Sequence, residues 1–549
     1  MERGASVVIR KPTGPLRWAP LCGESEFKPA TVFLLVILIL VIAVGARFIH
    51  LGTAPSGLSR DEVSTGYDAY CIMKTGSDQF GEFLPLFARS YGDYNEALYR
   101  YLAVPSIYLL GLNEQSVRVP AALFGSLTVV LLFLLGRFIF GTNIALMQAF
   151  LLAISPWHVH FSKVAFRVIL FPFFFSLALL VFLTALKKQK YLIPSAGLFV
   201  LASYTYSSAR VFVPLFWIVI VVVFFDQLRG LRRFHFVGFM VVFVGGMLVL
   251  GYHWSSAPSM VRAIGQMESS PFAWIRSYGS FFGPSFLFMT SDRYFMSQMT
   301  GYGLLYPVEA ISVVAGLVGI LRAAVKDRNP HLMVLVVGLL LFPIPAAFTD
   351  GGEQRRALIG TLFFPLLSGY GFFVVTGLVG NLKLRRLVRV ALVVTLISMF
   401  LNFGTRYLTI YAGASWFHWD HGWKEVVDFA DDGSYDTVFI SNRFITPHYF
   451  ILFYTEYSPE LYQKNPKDVI PGTQRIDSIE LGKFRVGDLE EIPADGGSSV
   501  LLVVKPDEVQ GVLTSHNSQI ATIIKSPINY VPFVLLELIP LNPASVDSP

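Results

Sequence analysis

Ser59-Arg60-Asp61-Glu62 sets two adjacent carboxylates beside a guanidinium, just past a first long apolar run over 31–50. Charge held that close to a bilayer boundary is costly and is normally retained for function. A carboxylate in such a place can take a proton from a hydroxyl, so Asp61 is the candidate general base. Arg60, Glu62, Asp93 and Tyr94 are the candidate substrate-binding side chains around it. Further along, cations stand between apolar runs at Lys163, Arg210 and the pair Arg355-Arg356. Arginine meets a phosphate with a planar fork and lysine meets it as a point charge. Each alone is explained as well by an interfacial snorkelling side chain or by a partner for an acid. Their recurrence in three loops points to a shared site for a lipid phosphate. His158 and His160 are two apart, a spacing that does not share a helix face. With His253 elsewhere, no metal site and no cofactor are expected. Asp68 and Glu96 read as helix-capping and solvent-facing charges of an amphipathic segment lying on the membrane.

The elements that must hold these residues follow from composition. The chain has 549 residues, 54% hydrophobic and only 15% charged, where a soluble protein carries about 25% charge. Mean hydropathy is +0.57. A polytopic membrane protein is implied, mainly α-helical. Its net charge of +6 falls in short loops, which excludes nucleic acid as the partner that explains it. Apolar runs of membrane-spanning character lie near 31–50, 117–139, 142–157, 168–187, 192–206, 209–226, 234–251, 304–322, 331–348, 357–378 and 388–408, about eleven spans. Every second loop is basic: Arg137, Lys187-Lys188-Lys190, Arg229 with Arg232-Arg233, Arg322 with Lys326 and Arg328, then Lys383 with Arg385-Arg386 and Arg389. The positive-inside rule makes these cytoplasmic, with the N-terminus. Asp61 and the isolated cations then face outward, at the plasma membrane. Cys22 and Cys71 flank the first span and cannot pair within one chain.

Three regions are expected. Residues 1–29 form a disordered cytoplasmic tail ahead of an uncleaved first span. Residues 30–409 form the transmembrane domain, with a long first outer loop bearing amphipathic helices. Residues 410–549 form a small extracytoplasmic α/β domain, with strand-like runs at 436–442 and 498–506 and a helical pattern over 422–432. The apolar run 528–539 is too short and too interrupted by proline for a confident span.

Five stretches in order carry a resemblance: SRDEVSTGYDAY (59–70), GDYNEALYRYLAVPSIYLLGLNEQSVRVPAALFG (92–125), SPWHVHFSK (155–163), YTYSSARVFVP (204–214) and QRRALIGTLFFP (354–365). The chain over 30–410 resembles the GT-C glycosyltransferases, in particular the dolichyl-phosphate-mannose protein mannosyltransferases and the aminoarabinose transferases. That resemblance implies a polyprenyl-phosphate-linked sugar donor, an outward active site and a catalytic aspartate after the first span, which falls on Asp61. Relatives commonly carry a GDYKPPLY-like run where this chain has Gly92 to Tyr99, so a lysine is replaced by Asn95. They often carry an acid where this chain has Arg167. The first change removes a phosphate anchor and the second adds a cation able to compensate.

The expected activity is therefore transfer of a hexosyl or pentosyl group from that donor to an acceptor hydroxyl on a protein, glycan or glycolipid, with inversion at the anomeric carbon. The competing readings are a transporter of polyprenyl-linked lipid or polysaccharide, and an inactive family member that only binds the lipid. A transporter gathers its charges near the bilayer midplane, whereas these gather at one face.

Overall fold

The computed structural model describes residues 27–255, 270–289, 296, 297, 299, 301–348, 354–432, 435–467, 469, 470, 475–492 and 499–539. Most of the expected N-terminal tail, with Cys22, lies outside those residues. Cys71 is buried and free.

The expected spans fall on helices, of unequal length. The first, α1 (Pro29–Phe48), is apolar throughout. Seven helices among the described residues are long and apolar enough to cross a membrane. These include α1, α4 (Glu114–Phe140), α7 (Leu170–Ala185, entered through a 3-10 turn from Arg167) and the helix Leu382–Arg406. The protein is thus a multi-pass membrane protein. Three expected spans are shorter: α5 (Thr142–Ile154), followed by the short α6 (Pro156–Phe161), then α8 (Leu192–Ser203) and α9 (Ala209–Val223). At 1.5 Å per residue α5 reaches only about 20 Å, less than a bilayer core of about 30 Å. It is instead buried along its length, between α4 and the helix Gly360–Gly377.

The segment between α1 and α4 positions the site. It holds α2 (Arg60–Thr75), a hairpin of β1 (Phe87–Ser90) and β2 (Asp93–Glu96), and α3 (Leu98–Leu110). Helix α2 starts where the sequence supplies a capping box: Ser59 accepts from the N3 backbone while Glu62 reaches back to Ser59. It stops at Gly76, whose φ of +74 suits glycine. The hairpin turns at Tyr91 and Gly92, with φ of +53 and +72, the primed geometry that matches strand twist. Ser64 on α2 and Ser90 on β1 share a hydrogen bond of 3.0 Å that docks the hairpin. The long outer loop with helices was expected; this hairpin was not.

The C-terminal part forms a mixed six-stranded sheet in the order β4 (Ile479–Leu481), β5 (Phe484–Gly487), β3 (Thr437–Ser441), β6 (Val500–Val504), β8 (Phe533–Leu538) and β7 (Ser518–Ile524). Strand β3 runs parallel to β5 and β6, and the remaining pairs are antiparallel. The run 528–539 contains strand β8, whose buried leucines pack into the cores on the two faces of the sheet. The helix Pro447–Tyr454 packs on α2: Phe453 fills the space left by Gly66, and Tyr67 Oη donates to Tyr457 O at 3.0 Å.

Candidate active site

The two carboxylates at the start of α2 part company at once. Asp61 is half exposed, and Arg355 Nη1 stands 3.9 Å from its Oδ2. The helix N-terminus adds its own positive potential at that carboxylate. Glu62 turns inward and is fully buried. Its oxygens accept from Arg118 Nε at 2.8 Å and Nη2 at 3.1 Å, from Ala165 N at 2.8 Å and from Ser59 N at 3.0 Å. Burial alone would raise its pKa, but Arg118 and these N–H donors overcome that and hold it below the usual carboxylate range. Arg118 also binds Leu51 O, Pro55 O and Gly57 O. Glu62 and Arg118 together staple the loop before α2 to the bundle. The expected role of Glu62 in touching substrate is corrected accordingly: its carboxylate is enclosed and taken up by protein donors.

A second charged cluster sits beside Asp61. Glu96, at the end of β2, is buried and accepts from Arg210 Nη2 at 2.5 Å and Arg167 Nε at 2.7 Å. Burial pushes Glu96 upward, and the two arginines more than reverse it. Arg167 Nη2 also donates to Asn95 Oδ1 at 2.7 Å. Asn95 and Arg167, the two positions singled out in the sequence, are therefore in contact, and Arg167 brings a positive charge to the hairpin from the turn that enters α7. Arg167 feels the charge of Asp61, and its neighbour Phe166 lies under the Arg355 guanidinium at 5.2 Å. The Asp61–Arg355 pair and the Arg167–Glu96–Arg210 cluster make one array, joined by the electrostatic reach between Asp61 and Arg167. Glu96 was expected to be a solvated charge, and so was Asp68. Both are buried ion-pair partners, Asp68 meeting Arg100 Nε at 2.6 Å. Neither assignment was visible from the sequence, because their arginines come from other elements.

Arg210 also lines a cavity of about 330 Å³ with Phe87, Tyr94, His253 and Trp254. Its guanidinium stacks 5.1 Å from the Phe87 ring and 5.7 Å from Trp254, and among the described residues its buried Nε has no hydrogen-bond partner. Asp93 is buried in the hairpin, its Oδ1 accepting from Tyr94 N at 2.7 Å. Arg356 is half-buried beside Arg355.

Lys163 stands apart from this array. It is buried, donates to Ile49 O at 2.6 Å, and lines a separate cavity of about 370 Å³ between α1 and the helix Leu382–Arg406. Burial, with Arg118 and Arg47 nearby, lowers its pKa to about 7. Two residues that sequence reasoning missed also face Asp61. Asp420 pairs with Arg60 at 3.5 Å, and Tyr91 lies in the field of both aspartates. His158 binds Arg47 at 2.9 Å and His160 binds Tyr407 at 3.1 Å. Among the described residues no group of three or more His, Cys, Asp or Glu is arranged to hold a metal ion.

Residues 97–251 match the family model of the dolichyl-phosphate-mannose-protein mannosyltransferases. No curated protein matches by sequence. Among solved structures, ArnT from Cupriavidus metallidurans bound to undecaprenyl phosphate aligns over 95% of this chain and 100% of its own, with 13% identity and a TM-score of 0.56. Its apo state aligns over the same shares with 13% identity and a TM-score of 0.54. The oligosaccharyltransferase AglB from Archaeoglobus fulgidus, in complex with an inhibitory peptide and a dolichol-phosphate, aligns over 78% of this chain and 64% of its own, with 14% identity and a TM-score of 0.49. The segment 97–251 thus carries the mannosyltransferase family signature, and the chain as a whole has the GT-C fold seen in ArnT.

Proposed function

We propose that this protein is a membrane glycosyltransferase that moves a sugar from a polyprenyl-phosphate donor to an acceptor hydroxyl at the outer membrane face. The observation that carries the reading is the Asp61–Arg355 pair set beside the Arg167–Glu96–Arg210 cluster, an acid and several cations from distant parts of the chain at one end of the bundle. The ligand named with ArnT, undecaprenyl phosphate, is the kind of polyprenyl phosphate that such a donor leaves behind after transfer.

In the reaction, Asp61 takes the proton of the acceptor hydroxyl. That oxygen bonds to the anomeric carbon as the bond from the anomeric carbon to the phosphate oxygen breaks. Attack opposite the leaving group inverts the centre. The polyprenyl phosphate leaves with the bonding pair, and as a stable anion it needs no general acid. Arg355 and Arg210, with Arg356 beside them, meet the charge that grows on it, worth about 3 kcal/mol for one well-placed donor. Tyr94, Asp93 and Arg60 border the space for sugar and acceptor. Lys163 belongs on this reading to the boundary where a lipid chain would enter, since its cavity lies between two lipid-facing helices. The domain boundaries at 30 and 410 fit this division of labour, with the sheet domain presented to the acceptor.

The decisive experiment is Asp61→Asn in purified protein, scored by release of free polyprenyl phosphate. Base catalysis contributes roughly 10²–10⁴-fold, so turnover is expected to fall by that factor with an unchanged melting temperature. Full turnover in D61N rejects the assignment.

A further inference from the structure

Beyond Arg406 the chain passes a π-helical turn, Tyr407–Tyr411, and rounds a corner at Trp419-Asp420-His421. The helix Trp423–Asp432 and the sheet follow. The corner is pressed against the loop before α2. A Cβ on Gly57 would run into Trp419 O and lie 3.0 Å from His421 Cα, and Gly57 has φ +81. Asp420 itself holds φ +40. Aspartate is among the few residues with a side chain that enter this region readily, which lets it turn the corner here.

What the corner delivers to α2 is a carboxylate. Asp420 Oδ2 lies 3.5 Å from Arg60 Nε, and the same carboxylate accepts the Arg60 backbone N–H. The first N–H groups of a helix have no partner within it. Ser59 satisfies the one at Glu62, and Asp420 satisfies the one at Arg60. Asp61 lies between these two fixed points.

We propose that Asp420 is a positioning residue for the catalytic base: it clamps the first turn of α2 and sets a second negative charge beside Asp61, coupling the C-terminal domain to sugar transfer. This rests on the reading of Asp61 as the base. The groups in electrostatic reach of Asp420 are Arg60 and Asp61 from α2 and Tyr91 from the hairpin turn; on the corner itself His418 lies in the field of Arg60, and His421 faces Glu425 at 3.9 Å. Burial pushes the Asp420 carboxyl up to about 7, Arg60 pulls against this, and the charge of Asp61 adds to the rise. Below that pH Asp420 is neutral. Above it, a negative charge stands beside the place where the acceptor proton is taken up and favours its arrival, so turnover rises as pH increases through this range.

The test uses the full-length protein with a pool of polyprenyl-phosphate-linked sugars as donor and cell-envelope extract as acceptor, read as free polyprenyl phosphate. Wild type, Asp420→Asn and D61N are compared at about pH 5.5 and about pH 8.5, on either side of the ionisation. D420N is expected to match wild type at the lower pH and to fall roughly tenfold below it in kcat at the higher, a loss of about 1.4 kcal/mol, with KM for the donor unchanged. A purely structural role would lower both points alike. If D61N is inactive while D420N follows wild type at both pH values, this inference alone is overturned. An active D61N, or a wild type that releases nothing, rejects the transfer reading and the inference with it. Asp420→Glu keeps the charge and serves if D420N fails to fold; a folded D420E without the rise also overturns the proposal.

Discussion

Neighbouring residues on a helix point about 100° apart, and in the first turn of α2 that angle sends Asp61 to the open site and Glu62 into the bundle. The consequences of mutating them differ in kind. Glu62→Gln leaves Arg118 buried without its counter-charge, a loss of about 3 kcal/mol or more. It is expected to lower the melting temperature in detergent sharply, whereas D61N leaves it unchanged. Glu96 poses a different question, because one of its two arginines, Arg210, borders the cavity lined by Tyr94 and Trp254. A carboxylate bridging two guanidinium forks competes with any phosphate that approaches them. Glu96→Gln removes the competitor, so added polyprenyl phosphate should inhibit the variant several-fold more tightly than wild type. Equal or weaker product inhibition would show that Glu96 holds the arginines in place rather than competing for them. The sequence made Asp61 legible, since a charge at the end of an apolar run is conspicuous. It made Glu96 and Asp420 illegible, since what defines them is a partner brought from elsewhere by the fold.

At the scale of elements, the spans were legible because each one is an apolar run, and a helix is the structure that satisfies its backbone in lipid. The β1–β2 hairpin was hidden because its strands are four residues each and GDYN carries no alternation of apolar and polar residues. The corner at 419–421 was hidden for another reason: its fit depends on a single glycine far away in the chain. Gly57 and Gly81 both have positive φ, +81 and +88, but only Gly57 is crowded, while nothing lies within 4 Å of a Cβ at Gly81. A side chain at either place carries backbone strain of roughly 1–2 kcal/mol. Gly57→Ala adds a collision with the Trp419 carbonyl, which is main chain and cannot rotate aside. G57A is therefore expected to lose both melting temperature and turnover, and G81A to lose a little stability and no turnover. Equal behaviour of the two variants would mean that the corner is not held tightly against α2.

For the whole molecule, orientation decides whether the site meets the acceptors proposed for it. Arg118 and Arg137 lie on α4, and nineteen residues at 1.5 Å each put them about 29 Å apart. Arg118 binds Glu62 beside the site, so Arg137 marks the opposite end of the bundle. The same holds for α9, which begins at Arg210 in the site and leads towards Arg229 and Arg232-Arg233. The basic clusters that the positive-inside rule assigns to the cytoplasm therefore lie at the end remote from Asp61, and the sheet domain packs on α2 at the near end. Two cysteine variants test this in intact cells with a membrane-impermeant maleimide. Glu480, 71% exposed on the sheet domain, should label from outside as Glu480→Cys. Lys383, exposed at the start of the last long helix, should label as Lys383→Cys only after the cells are opened. Both variants are made with Cys22 replaced by serine, and the remaining native thiol at Cys71 is buried and gives little background. The reverse pattern would put Asp61 in the cytoplasm and remove extracellular proteins and envelope glycans from the acceptors it could reach.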